Sequence, residues 1–176
     1  MKKGLLILAS LLLVTTVFAF EAGNILGGGT IGFRSVKMSS DSDAHSIFSF
    51  APEVAYFVMD NLAVDAILNY GHSGTKNNYS NAFALGAGAR YIFLQQAYAG
   101  AGLEMEFYSD KYAGFSSSYN AMYLFAQLGY LAPISERAFI DIRAKYKMGI
   151  GDYGGDYSSS NEESDLGVRA GLQVLF

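Results

Sequence analysis

The sequence contains no cysteine, and only two of its 176 residues are proline. Without cysteine the chain can form neither a disulfide nor a thiolate metal site, and it offers no cysteine for lipidation. After residue 19 it also lacks any apolar run of the ~20 residues that a membrane-spanning helix needs. Yet 51% of its residues are hydrophobic. These side chains must therefore alternate with polar ones, which predicts strands rather than spanning helices.

The first 19 residues have the pattern of a secretory signal peptide. Lys2 and Lys3 provide a positive start, an apolar stretch runs from Gly4 through Phe18, and Ala19 offers a small residue for cleavage. The apolar stretch is shorter than a spanning helix, for which about 20 residues are needed. We therefore predict a signal peptide over 1–19 and export through the inner membrane. No linker, charge block or shift in composition divides the rest, which predicts one domain over 20–176.

The carboxyl-terminal segment alternates strictly in hydrophobicity. Every second residue from Leu166 to Phe176 is apolar, whereas the intervening positions are mainly glycine, glutamine and arginine. A period of two indicates a strand, because successive side chains point to opposite faces. One face of this strand is predicted to contact an apolar medium, and the other a polar interior.

The same period predicts eight strands, near 24–36, 46–57, 62–71, 82–93, 97–108, 120–131, 138–148 and 165–176. Short connections, near 58–61, 94–96 and 132–137, alternate with longer ones, near 38–45, 72–81, 109–119 and 149–164. Short periplasmic turns and longer extracellular loops are typical of bacterial outer-membrane barrels. An even number of strands then places both termini in the periplasm.

Aromatic residues of the apolar rows lie mostly at strand ends, with aliphatic residues between them. The predicted strand directions place one set in a periplasmic belt: Tyr56, Tyr91, Phe93, Tyr130 and Phe176. They place a second set in an extracellular belt: Phe33, Phe48, Tyr70, Phe83, Phe107 and Tyr146. A bilayer selects two aromatic girdles around an apolar band, whereas a soluble β-sandwich has no reason to segregate Tyr from Leu. The predicted fold class is all-β, an eight-stranded antiparallel up-and-down transmembrane β-barrel.

The segment Phe50–Val64, FAPEVAYFVMDNLAV, resembles a stretch of the small bacterial outer-membrane β-barrel family, the OmpA/OmpX-like and attachment-invasion proteins. In that family a proline, an aromatic pair and an Asp-Asn turn join strands two and three; Ala55 stands where glycine is usual. Proline in a paired strand removes a ladder hydrogen bond, so we expect a bulge or gap beside Pro52.

The family resemblance implies an outer-membrane location and a structural or adhesin-like role at the cell surface. It also implies three classes of partner: outer-membrane lipid, the barrel insertion machinery with periplasmic chaperones, and an extracellular surface ligand. The terminal residues Phe176, Val174 and Leu172 resemble the assembly signal that the insertion machinery reads.

The inward faces of the predicted strands carry the charge. The residues concerned are Arg34, Glu53, Asp65, Arg90, Glu104, Glu106, Asp141, Arg143, Lys145, Lys147 and Arg169. Eight strands leave an interior just wide enough for side chains, and an unpartnered buried charge is costly. We therefore predict a plugged polar lumen in which Arg90 bridges Glu53 and Asp65, together with Arg143 from across the barrel. The alternative is a narrow pore for ions or small solutes.

Catalytic residues are scarce. His45 and His72 lie at loop edges, and Asn78-Tyr79-Ser80-Asn81 only partly resembles the His-x-Ser-Asn of lipid A deacylases. Because Asn78 replaces the histidine that would accept the serine proton, the hydroxyl would stay a poor nucleophile. We predict that the chain is not an enzyme and uses no cofactor, and that it binds no nucleic acid; a lipid A-modifying enzyme ranks third, after the pore.

The predicted loops are acidic, and the fourth is the longest. Asp152, Tyr153, Asp156 and Tyr157 are its candidate recognition residues, because long loops on a rigid scaffold commonly carry binding residues. Calcium could use such acids, but no ligand spacing matches a known loop motif, so no metal site is predicted.

Overall fold

The structure is a computed structural model that describes residues 20–36, 45–75, 78–112, 114–155 and 164–176. Its strands form one closed antiparallel barrel in chain order, with β1 also paired to β8. They are β1 (Ile25–Val36), β2 (His45–Met59), β3 (Leu62–Gly74), β4 (Tyr79–Phe93), β5 (Ala97–Tyr112), β6 (Phe115–Pro133), β7 (Ala138–Gly155) and β8 (Ser164–Leu175). The eight-stranded barrel predicted from the sequence is confirmed. The predicted signal peptide, 1–19, lies outside the described residues.

Strict alternation of side chains produces the two faces of the wall. Along β3, Val64 and Leu68 are 48% and 45% exposed, whereas Asp65 and Ile67 between them are 1% and 6% exposed. The outer face is therefore apolar and the lumen holds the charges, the reverse of a soluble protein. A continuous apolar outer surface of this kind marks contact with an apolar medium. Within the described residues, no helix is long and apolar enough to cross a membrane.

The two ends of the barrel differ. The end at which β1 begins and β8 ends is here called the terminal end. It holds Phe20, Phe176 and the turns at 60–61, 94–96 and 134–137. Asn61 adopts the left-handed conformation (φ 63°) that a tight hairpin requires, which suits the Asp-Asn turn predicted from the sequence. At the opposite end, here called the loop end, β3 joins β4 and β5 joins β6.

The strands at the loop end are longer than predicted. Tyr108 pairs with Tyr119 and Tyr112 with Phe115, so β5 and β6 form a hairpin with a two-residue connection. The prediction of a long loop near 109–119 is wrong. Residues such as Ser116 and Asp110 interrupt the apolar alternation, but cross-strand pairing continues without an apolar face.

The fourth loop is also shorter than predicted, because β7 extends to Gly155. Asp152 and Tyr153 therefore lie in a strand and not in a loop, which corrects that prediction. The ladder explains the extension, since Gly154 and Gly155 pair with Asn120 and Tyr119 of β6. Asp156 and Tyr157 lie outside the described residues.

Pro52 lies beside a gap in the ladder, as its missing N–H predicts. Pairing of β2 with β3 runs from Ser46–Gly74 to Phe50–Tyr70 and resumes at Glu53–Ile67, which skips Ala51 and Pro52. The register stays constant across this gap, and shifts only between Phe57 and Met59. The proline is thus accommodated by lost pairs and not by a bulge.

The seam between β1 and β8 is the shortest ladder of the barrel. Its four pairs run from Leu26–Leu175 to Gly29–Leu172. Two further backbone bonds join Ile25 to Phe176 at the terminal end, with N···O distances of 2.8 and 3.2 Å. Beyond Gly29, β1 still pairs with β2 as far as Val36, but its other edge has no ladder partner on β8 within the described residues.

The predicted aromatic girdles lie where the strand directions place them. Tyr70, Phe83 and Phe107 are successive ladder partners on β3, β4 and β5 near the loop end, each about 40% exposed. Tyr56 and Tyr91 are half exposed near the terminal end. Tyr130 and Phe48 are only partly exposed. Most of the predicted aromatics therefore frame the apolar band from both sides.

Candidate functional site

An apolar plug closes the lumen at the terminal end. Phe20 precedes β1 and folds back into the barrel mouth, where it is 1% exposed. Its ring stacks on Phe57 at 5.3 Å and lies 5.7 Å from Phe139, and its carbonyl accepts a hydrogen bond from the Asn61 N–H. The plug consists of Phe20, Leu26, Ala55, Phe57, Ala63, Ile92, Tyr98, Leu131 and Phe139. Sequence reasoning missed Phe20, because a residue outside a strand carries no alternation signal.

A first ionic cluster, the terminal network, lies directly above the plug. Its residues are Glu53, Asp65, Arg90, Asp141, Arg143 and Gln173, all buried. Arg90 is 1% exposed and donates from Nε to Asp65 Oδ1 and from Nη2 to Glu53 Oε1, both at 2.8 Å. This is the bridge that the sequence predicted. On the ladder Asp65 faces Ala55 and Glu53 faces Ile67, so the carboxylates are offset by two positions and not directly opposed.

Arg143 carries the terminal network across the lumen. It donates from Nη1 to Glu53, and its Nη2 lies 3.1 Å from Asp141 Oδ2. Tyr98 donates its hydroxyl to Asp141 Oδ1 at 2.8 Å, and its ring lies 5.0 Å from the Arg90 guanidinium carbon. These side-chain contacts join four strands, β2, β4, β5 and β7, in addition to the backbone ladders of the barrel. This network of buried ion pairs and hydrogen bonds fills the lumen with fixed groups.

A second cluster, the loop-end network, consists of Glu104, Glu106, Lys145 and Lys147. Lys145 donates to Glu104 at 2.6 Å, and Lys147 contacts both Glu104 and Glu106. Each ammonium also lies over an aromatic ring, Lys145 at 4.2 Å from Phe125 and Lys147 at 4.8 Å from Tyr123. Cation–π contacts of desolvated ammonium groups add to the ion pairs. The sequence predicted the charges but not the rings.

Glycines in the facing strands make room for these rings. A Cβ at Gly129 would lie 2.3 Å from Tyr98 Cζ, and one at Gly102 would lie 2.6 Å from Phe125 Cζ. Both distances are below any real van der Waals contact. The inward glycines are therefore the reason that large rings can lie flat against the lumen wall.

A tyrosine-lined mouth opens above the loop-end network. Tyr108 and Tyr119 stack at 4.6 Å with an interplanar angle of 11°, and Tyr153 meets Tyr119 edge-on at 5.7 Å. The Tyr108 hydroxyl donates to Glu106, which fixes the stack to the network below. A cavity of about 450 Å³ in the mouth is lined by Tyr108, Tyr123, Lys147, Ser164 and Asp165. Tyr153, which lies in β7, thus supplies part of this surface.

The other candidate residues do not join these clusters. Arg169 is partly exposed and lines a cavity beside β1. The side chains of Arg34 and Asp152 are not among those described. His72 shares a hydrogen bond between Nδ1 and Asn81 Oδ1, 2.8 Å apart. In the described ranges, no group of three or more His, Cys, Asp or Glu residues could hold a metal ion.

Comparison with solved structures finds the same barrel in three outer-membrane proteins. The N-terminal β-barrel domain of Pseudomonas aeruginosa OprF is 15% identical, with 88% of this chain and 98% of that chain covered and a TM-score of 0.59. Neisserial surface protein A (NspA) is 20% identical, with 88% and 98% covered and a TM-score of 0.59. The outer membrane protein OprG from Pseudomonas aeruginosa is 14% identical, with 91% and 99% covered and a TM-score of 0.58.

No protein-family model matches the chain, and no curated protein matches it. At these identities the three solved structures establish the fold. That fold is the one the sequence predicted from its resemblance to small outer-membrane barrels.

Proposed function

We propose that this protein is a closed outer-membrane barrel that acts as a structural scaffold and presents its loop end for interaction at the cell surface. The terminal end then faces the periplasm and the loop end the exterior. The observation that carries the proposal is the double closure of the lumen, by the Phe20 plug and by the terminal network. The apolar outer face and the aromatic girdles support the membrane location.

The closed lumen favours a scaffold over a pore. A conducting path would have to pass both the ring stack of Phe20 and Phe57 and the pairs that Arg90 and Arg143 make with Glu53. Eight-stranded barrels have interiors that side chains just fill, in contrast to the water-filled lumen of 16–18-stranded porins.

We expect the purified protein, reconstituted in planar bilayers, to show no stepwise conductance in 1 M salt, a concentration at which porins conduct readily. A 16–18-stranded porin inserted under the same conditions serves as the positive control. Reproducible conductance steps that change with Glu53→Gln would contradict the scaffold and favour the narrow pore.

The loop end has the character of a recognition surface. Stacked tyrosines on rigid strands supply a large amphipathic contact area at low cost in conformational entropy. Here Tyr108 and Tyr123 line a cavity whose wall also includes Asp165, which is exposed. Because the strands hold this surface above the apolar band, it can meet a ligand outside the membrane.

Tyr153→Ser is expected to reduce attachment of expressing cells by about tenfold, the size of a modest hot-spot contribution. Attachment would be measured in a non-adherent bacterial host on cultured epithelial cells and on immobilised matrix proteins and glycans. Tyr112→Ser is the matched control, because Tyr112 is 72% exposed at the same end but outside the ring cluster.

Replacement of residues 156–163 by a Gly-Ser segment of equal length tests Asp156 and Tyr157 separately, without breaking the β6–β7 ladder. All variants should assemble normally, which heat-modifiable electrophoretic migration reports. If attachment is unchanged both in Tyr153→Ser and in the variant with the replaced segment, the recognition role is contradicted and only the scaffold role stands.

A further inference from the structure

We infer that the open part of the β1–β8 seam is a binding site for an amphiphile with an oxyanion head group, and that Arg169 holds the head group. The inference rests on the membrane location proposed above but concerns the barrel wall and not the lumen or the loop end. Three observations converge on it: an incomplete ladder, a cavity that reaches both faces of the wall, and a cation that forms no ion pair with any described residue.

The ladder between β1 and β8 ends at Gly29 and Leu172. From there toward the loop end, β1 still pairs with β2, and β8 still pairs with β7. The edges of β1 and β8 that face each other have no ladder partner in the described part of the chain. Unsatisfied backbone N–H and C=O groups are costly in a bilayer, and they are also donors and acceptors for a ligand.

A cavity of about 220 Å³ occupies this open seam. Its lining residues are Thr30, Ile31, Gly32, Ser49, Ala51, Arg169 and Ala170. Ile31 and Ala170 belong to the outward rows, whereas Thr30 and Arg169 belong to the inward rows, so the cavity connects the outer face with the lumen side. Ile31 is 74% exposed, and Val168, two residues before Ala170 on β8, is 77% exposed. The outer lips are therefore apolar and the inner wall is polar, the arrangement that an amphiphile requires.

Among the lumen bases whose side chains the structure describes, Arg169 is the one that the ionic clusters leave out. Arg90, Arg143, Lys145 and Lys147 all have a carboxylate within 3.5 Å. Arg169 has none among the described residues. Its direct ladder neighbour on β7 is Arg143, a like charge, and Lys145 lies beside both in the narrow inner continuation of the cavity.

The carboxylates near Arg169 are not available to it. Asp165 lies four residues away on the same strand, about 13 Å at the usual rise per residue. Glu53, which also lines the inner continuation, already accepts from Arg90 and Arg143. The electrostatic potential at the Arg169 side of the cavity is therefore positive.

The depth of the cavity within the membrane fits an amphiphile. Arg169 lies seven residues before Phe176, about 18 Å above the terminal girdle for a strand tilted by about 40°. The outer lips of the cavity at this height are thus still inside an apolar band of about 25 Å, where an alkyl chain would contact lipid. A phosphate or carboxylate head group can accept two parallel bonds from a guanidinium, with Ser49 and Thr30 as further donors. Its alkyl chain would lie along Ile31 and Ala170 on the outer face.

The test uses the whole barrel, purified in the neutral detergent dodecyl maltoside and titrated with dodecyl phosphate or dodecanoate. Native mass spectrometry would measure the bound amphiphile. We expect saturable binding of one molecule, weakened at least tenfold by Arg169→Gln and largely restored by Arg169→Lys. Arg137→Gln is the matched control, since Arg137 lies exposed in the turn between β6 and β7 and should leave binding unchanged.

A second variant, Ala170→Phe, keeps Arg169 and adds a ring only on the outer face, so it should fold normally and still block the alkyl chain. Inorganic phosphate should bind at least tenfold more weakly than dodecyl phosphate. The inference is overturned if Arg169→Gln and Ala170→Phe both bind as well as the wild type. It is also overturned if phosphate ions bind as tightly as the amphiphile, or if the seam is covered by a second copy in a dimer. None of these results depends on the conductance or attachment tests.

Discussion

Replacing Arg90 with alanine should lower the free energy of unfolding by about 3–5 kcal/mol, the range found when one partner of a buried ion pair is removed. Arg90 is the centre of the terminal network, and two carboxylates, Glu53 and Asp65, depend on it. Without the guanidinium, Asp65 is left as a buried charge with no ion-pair contact among the described residues. The measurement is the urea unfolding midpoint of the protein folded into lipid vesicles.

Arg90→Lys should fall between the wild type and the alanine variant. An ammonium keeps the charge, but it lacks the planar fork with which the guanidinium serves two carboxylates at once. Arg137→Ala, in an exposed turn, should change stability by no more than about 0.5 kcal/mol. Equal urea unfolding midpoints for the wild type, Arg90→Ala and Arg90→Lys would show that Arg90 does not stabilise the barrel.

Deletion of Phe176 should prevent most of the protein from assembling in the outer membrane while export continues. Phe176 makes two backbone hydrogen bonds to Ile25, and they extend a seam of only four ladder pairs. The aromatic side chain is also the predicted assembly signal, together with Val174 and Leu172. The truncated chain should collect in the periplasm and be degraded. Membrane fractionation and heat-modifiable migration provide the measurement.

Two further variants separate the seam from the signal. Phe176→Ala keeps the backbone bonds but removes the ring, so a defect equal to that of the deletion would assign the effect to recognition by the insertion machinery. Phe93→Ala removes another exposed aromatic residue of the terminal girdle and should assemble normally. Normal heat-modifiable migration of the deletion variant would show that neither the seam bonds nor the ring is needed.

The barrel could be predicted from the sequence because lipid and lumen impose opposite demands on alternate residues. Val64 must be apolar where it meets lipid, and Asp65 can be charged only because it points inward. The alternation of apolar and polar residues along each strand thus distinguishes the lumen residues from the lipid-facing ones. It also placed Arg90 near Glu53 and Asp65, since all three lie on adjacent strands.

Features that depend on closure of the barrel could not be predicted in this way. Alternation shows that Arg143 points inward, and its contact with Glu53 from across the barrel was expected, but the second contact, with Asp141, was not. Phe20 plugs the terminal end although it belongs to no strand. At the loop end, where Ser116 and Asp110 have no lipid to face, the period that identified the strands disappears while the ladder continues.

The seam has a consequence for how the chain folds. Seven of the eight strand pairings join neighbours in the sequence, and only β1 with β8 joins opposite ends of the chain. Hairpins between neighbours have low contact order and form early, whereas closing a chain of about 150 residues costs roughly 4 kcal/mol of loop entropy. The barrel therefore has one slow, non-local folding step, the pairing of β1 with β8. The ladder formed in this step has the fewest residue pairs of the eight. Until that step is complete, β1 and β8 are both free edges, and the nascent sheet is exposed to pairing with other chains.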